Sequence, residues 1–120
     1  MDLKTVVTVL EAITVSREGD RDQELAGGAA ADLMSDVLMF AQPNSVLLTG
    51  LTHPQVVRTA EIAGILAIVF VRGKSPPPET IRLAEEIGIP LFSTSYSMYE
   101  SCGRLYVEGL AASMPVLQAN

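Results

Sequence analysis

Tryptophan is absent from this chain, histidine and cysteine occur once each, and Lys and Arg together number only eight. The lone Cys102 excludes an intrachain disulfide, and such cysteine usage fits a reducing compartment. It falls in an expected helix with no neighbouring His or Cys, and it reads as a small buried hydrophobe. Eight cations in no cluster, against 14 acids and a formal charge of −6, leave no electrostatic footprint for nucleic acid or for an acidic membrane surface. Long apolar runs are missing too. The longest, Ile62 to Val71, is half of the ~20 residues that a membrane helix needs. The start carries no signal-peptide pattern, because Val6 to Leu10 meets Glu11 at once. A cytoplasmic protein is expected, with no nucleic-acid or membrane partner and no cofactor.

What is present is a folding pattern. At 120 residues, 48% apolar and 18% charged, the chain can bury one core, and no linker rich in Pro, Gly or Ser divides it. One domain over 1–120 is expected, with a core of about 3–110 and a tail of 111–120 that carries no strong signal.

Asp2 followed by Leu3, Val6, Val7 and Leu10 predicts a capped first helix. Ile13 to Ser16 suits a short strand, and Arg17 to Glu24 a polar loop. Gly27-Gly28 and three alanines are read as opening a second helix over about Ala31 to Ala41. Its apolar face would be Leu33, Met34, Val37, Leu38 and Ala41. Pro43-Asn44 then turns the chain into a strand, Ser45 to Leu48.

From there a pattern repeats. Ala63-Gly64-Ile65 and Ile87-Gly88-Ile89 each end a helix on a glycine and pass directly into an apolar strand, Leu66 to Val71 and Leu91 to Ser93. Continuous apolar strands alternating with helices imply βαβ units, and so an α/β fold whose mostly parallel sheet of about four strands is covered on both faces. Ser97-Met98-Tyr99-Glu100 is a capping box for a last helix. There Met98, Cys102, Leu105 and Tyr106 would face the sheet, and Gly103 would mark a close backbone approach.

Candidate sites follow from where polar groups meet strand ends. In an open parallel sheet, ligands bind beyond the carboxyl ends of the strands. This singles out Thr49, Thr52 and His53, then Arg72, then Ser93, Thr94 and Ser95 at a helix N-terminus suited to an anion. Ordinary capping and turn chemistry is the competing reading of the same residues. Gly73-Lys74-Ser75 is not a phosphate-binding P-loop, since Ile68 stands where its first glycine belongs and three prolines follow. His53 has no nucleophile or orienting acid assigned by sequence, so no catalytic residue is named. Asp32 and Asp36 are one turn apart on the expected second helix. A metal there would need hard ligands that the sequence does not place.

The run from Gly27-Gly28 through Asp32-Leu33-Met34-Ser35-Asp36, with HPQVVRTAEIAGILAIVFVRGK and PETIRLAEEIGIPLFSTSYSMYESCGRLY, resembles a DRTGG domain over about Leu3 to Leu110. The chain departs from it where the family takes its name: Asp20-Arg21 are separated from the glycines, and Ala26 replaces the usual threonine. Such domains are similar to the N-terminal domain of HPr kinase/phosphorylase, and they also occur beside CBS domains, in some pyrophosphatases and in phosphotransacetylases. The resemblance implies a three-layer α/β/α fold, a tendency to form homodimers, and a regulatory or accessory role with no agreed catalytic residues. It makes Gly27, Gly28, Asp32, Ser35 and Asp36 a possible second cluster. The expectation is a domain that binds a small anionic ligand or a protein partner. The alternatives are a phosphate- or acyl-handling enzyme using His53, and an assembly module without a pocket.

Overall fold

A computed structural model describes residues 1–16 and 19–117; Arg17 and Glu18 of the expected loop, and 118–120 of the expected tail, lie outside them. The elements in order are α1 (Leu3–Val9), β1 (Ile13–Thr14), β2 (Gly27–Ala30), α2 (Met34–Phe40), β3 (Ser45–Thr49), α3 (Pro54–Ala63), β4 (Ala67–Phe70), α4 (Pro78–Ile87), β5 (Leu91–Ser93) and α5 (Met98–Val107). The five strands form one sheet in the order β1-β5-β4-β3-β2. Strands β2 to β5 run parallel and β1 pairs antiparallel with β5. The α/β architecture with a mostly parallel sheet is as expected, with β2 added.

Alternation along the central strands builds two cores. Val46, Leu48, Ala67, Val69 and Phe92 face Leu3, Val6, Leu10 and Leu105 of the α1–α5 side. Leu47, Ile68, Phe70 and Leu91 face Val37, Val56, Val57, Ala60 and Ala84 of α2, α3 and α4. A strand buried on both faces needs apolar side chains at every position, hence the unbroken runs. Asp2 caps α1, its Oδ1 accepting from Thr5 N–H at 2.8 Å. Gly64 and Gly88 end α3 and α4 at φ 74° and 92°, a conformation that costs glycine nothing.

Several expectations change. Gly27-Gly28 does not open a helix: both lie in β2, registered against Ser45 and Val46. A Cβ on Gly27 would sit 2.8 Å from Ala111 O and 3.1 Å from Ser113 N, so glycine is needed where the C-terminal segment crosses the edge of β2. Second, that segment is built in. Gly28 N–H donates to Ala111 O and Ser113 N–H to Gly28 O. The buried Ser113 hydroxyl also accepts from Gln42 N–H and from Ser45 Oγ–H. Third, α2 begins only at Met34, and Leu33 and Leu38 of its expected apolar face are exposed. Finally, Tyr106 points outward, and a Cβ on Gly103 would meet nothing within 4 Å, so no described element approaches it closely. Ser97 caps α5 through Glu100 N–H, but the Glu100 carboxylate pairs with Arg104 instead of closing the box.

Candidate functional site at the strand ends

Parallel strands β2, β3, β4 and β5 deliver four loops to one edge of the sheet. Each crossover among them carries its helix to the same face, while the chain after β5 returns to the other face as α5. A crevice between β4 and β5 is therefore expected on topological grounds. The chain fills it with its own backbone: Arg72 N–H donates to Tyr96 O at 2.8 Å and Gly73 N–H to Thr94 O at 2.7 Å. The Ser93 hydroxyl donates to Lys74 O, and the Thr94 hydroxyl donates to Leu10 O at 2.6 Å. Ser93 and Thr94 are buried, and their hydroxyls hold loops together.

The neighbouring loops are joined by Asp32. Its Oδ1 accepts from the Thr49 hydroxyl at 2.9 Å and from Gly50 N–H at 2.8 Å. Thr49 Oγ1 in turn accepts from Leu51 N–H. Lys74 reaches back from the loop after β4 and donates from Nζ to Gly50 O at 3.2 Å. A Cβ on Gly50 would come within 3.4 Å of that ammonium and 3.6 Å of both Asp32 carboxylate oxygens, so the two charges flank the glycine. From α4, the buried Thr80 hydroxyl donates to Thr52 O and fixes the end of the same loop.

Thus the strand-end residues divide by task. Thr49, Ser93 and Thr94 point into the fold. His53, Arg72, Lys74 and Ser95 are exposed on the edge, with Thr52 half-buried beside them. Arg72 holds a left-handed backbone at φ 61°, unusual outside glycine. His53 is the N-cap of α3; its carbonyl accepts from Val56 N–H, but its imidazole caps nothing, and among the described residues that side chain has no hydrogen bond or ion pair that would orient it as a base.

Residues of the possible second cluster part company. Asp32 joins the strand-end site, while Ser35 and Asp36 ride on the first turn of α2. Gly27 and Gly28 lie toward the opposite end of β2, under the C-terminal segment. Lys74 joins these loops through Gly50 O, although its GKS setting in the sequence only excludes a P-loop. Its signal was a cation shortly after a strand, one loop away from Gly50.

Hollows lie elsewhere too, some of them around Gly88 to Pro90. A groove of about 530 Å³ runs between α1 and α5, and a pocket of about 170 Å³ opens between β2, α5 and Leu110–Ala112. Cys102 lines the second, where burial raises its thiol above the ordinary range and so favours the neutral form. Among the described residues no three His, Cys, Asp or Glu side chains gather as metal ligands, and no helix is long and apolar enough to cross a membrane.

The class of fold is thus a five-stranded, mostly parallel α/β sheet with helices on both faces. Among solved structures it is similar to the CBS and DRTGG domains of the regulatory region of Clostridium perfringens pyrophosphatase, determined with the activator diadenosine tetraphosphate. The TM-score is 0.67 at 17% identity, covering 94% of this chain and 50% of that one, so this chain spans half of that neighbour's length. A likeness at that identity establishes the fold. No family model matches the chain, and no curated protein sequence matches it.

Proposed function

We propose that this chain is a regulatory or accessory domain that binds a small anionic, phosphate-containing ligand at the strand-end edge, and that it works as a homodimer without catalysing a reaction. The observation that carries the ligand is the set of contacts at Gly50: Asp32 and Thr49 fix the loop and Lys74 donates to it, while Arg72 and His53 are exposed on the same strand-end edge. The N-terminus of α3 adds first-turn amides that no side chain caps, and such a helix end favours negative charge. The neighbour with this fold is a regulatory region solved with a tetraphosphate activator, which supports phosphate as the ligand class and regulation as the role. The resemblance to DRTGG domains supports the same role.

The homodimer rests on α2 and α3, which pack side by side and expose Leu38, Met39 and Ile62. Such side chains on helices invite a covering surface. A sedimentation mass of one chain across micromolar concentrations sinks this half of the reading.

Thermal denaturation with inorganic phosphate, mononucleotides and dinucleoside polyphosphates tests the ligand half. A ligand at 100 times its Kd adds about 2.7 kcal/mol, enough to raise the midpoint by several degrees. Arg72→Gly is the informative variant, because glycine suits the left-handed backbone. It should fold as well as the parent yet bind about tenfold more weakly, the loss of roughly one charge-assisted hydrogen bond. No shift with any of these anions, or equal shifts in the variant, rejects the site.

A further inference from the structure

We infer that the outer face of α5, together with the groove it shares with α1, is a docking site for a basic amphipathic helix of a partner protein. Helix α5 is apolar on two sides. Its inner side holds Leu105 against the sheet, while Tyr99, Tyr106 and Val107 stand on the outside at 91%, 74% and 85% exposure. At positions i, i+7 and i+8 these three share one stripe, and Gly103 lies in its middle.

That glycine has no explanation among the described residues. It sits inside a helix, where glycine costs about 1 kcal/mol relative to alanine. It needs no special backbone angle, and open space surrounds the Cβ it lacks. A second helix crossing α5 would use that space, since a glycine at the crossing lets backbones approach. Gly103 and Val107 also line the 530 Å³ groove, so stripe and groove form one continuous surface. Over ten residues α5 is about 15 Å long, a match for about three turns of a partner helix.

Charge selects the occupant. The groove is lined by Glu11, Glu100, Glu108 and a single cation, Arg104. Arg104 is already committed: its Nε lies 3.0 Å from Glu100 and its guanidinium stacks 4.0 Å from the centre of the Tyr96 ring. Glu11 accepts from the Tyr96 hydroxyl, and neither Glu11 nor Glu108 has an ion pair among the described residues. Two uncompensated carboxylates therefore border the apolar stripe. A second copy of this chain would bring the same acidic border to the contact, whereas a helix with Lys or Arg beside its apolar face complements both features. Tyr96 borders both places, its carbonyl accepting from Arg72 N–H while its ring and hydroxyl meet Arg104 and Glu11, but none of the groove's lining residues belongs to the strand-end site, so either reading can fail alone.

The test uses a labelled amphipathic helix of about 14 residues with leucines on one face and flanking lysines, and a control peptide with glutamates replacing the lysines. Anisotropy should show saturable binding of the lysine peptide that weakens with salt, and none of the control. Gly103→Leu fills the crossing point while improving helix propensity, and Glu108→Lys places a cation where the helix dipole welcomes it. Both should melt no lower than the parent and bind the lysine peptide at least about tenfold more weakly, while Arg72→Gly binds it unchanged. Equal binding of both peptides, undiminished binding by the two α5 variants, or no binding at all overturns the proposal. So does a parent dimer that Gly103→Leu converts to a monomer, since the occupant is then a second copy.

Discussion

The Asp32 carboxylate accepts the Thr49 hydroxyl at 2.9 Å and thereby ties the chain leaving β2 to the end of β3. Because the same oxygen also holds Gly50 N–H, Asp32 sets the shape of the loop that Lys74 contacts. Asp32→Ala removes the acceptor and leaves the buried Thr49 hydroxyl without it. A loss of about 1–2 kcal/mol is expected in urea unfolding, whereas Asp32→Asn, which can still accept both bonds, should lose under about half of that. Equal losses would show that the charge, and not the acceptor geometry, supports the loop.

The two glycines of β2 should differ in their tolerance of alanine. At Gly27 the added carbon would meet backbone atoms of the C-terminal segment at 2.8 and 3.1 Å, so that segment must shift. At Gly28 the close atom is Leu110 Cδ2 at 2.9 Å, the movable tip of a side chain. Gly27→Ala should cost about 1–3 kcal/mol and expose residues 110–117 to limited proteolysis. Gly28→Ala should stay within about 1 kcal/mol of the parent, because the clash is partly offset by a less flexible unfolded chain.

The same pair shows why some of the fold was legible in sequence and some was not. Strands β3, β4 and β5 are buried on both faces, so composition alone declares them, and Gly64 and Gly88 mark where their preceding helices stop. Strand β2 is only glycine and alanine, which carry no strand preference of their own. Its identity comes from pairing with β3 and from the close approach of Ala111 and Ser113, some eighty residues away in sequence. Without β2 the centre of the candidate site is not legible either. Helical spacing pairs Asp32 with Asp36, whereas the strand before Asp32 sets it against Thr49. Tyr106 and Gly103 misled for a related reason: α5 carries apolar residues on both sides, and periodicity cannot say which side meets the sheet.

Two buried hydroxyls, Thr59 Oγ1 in α3 and Ser101 Oγ in α5, lack a hydrogen-bond partner among the described residues, although both side chains are essentially inaccessible. Thr59→Val preserves the shape and removes the unsatisfied group, and Ser101→Ala does so with a better helix former. Each should raise stability by about 0.5–1 kcal/mol in urea unfolding. A loss in either case would show that its hydroxyl is bonded in solution.

Acid should weaken the start of α1 through Asp2. Its carboxylate accepts from the Thr5 hydroxyl at 2.6 Å and from Thr5 N–H at 2.8 Å, and these bonds hold its pKa below the ordinary aspartate value of 3.8. A group depressed in the folded state binds its proton more readily when unfolded. Its stabilising contribution is therefore complete above the unfolded pKa and disappears as the pH falls through the folded one. Asp2→Ser keeps a capping oxygen that does not titrate in this range. The parent's advantage over Asp2→Ser should be constant from pH 7 to about 5, then shrink below about pH 4. An advantage unchanged down to pH 2.5 would mean that the carboxylate charge does not stabilise the helix start.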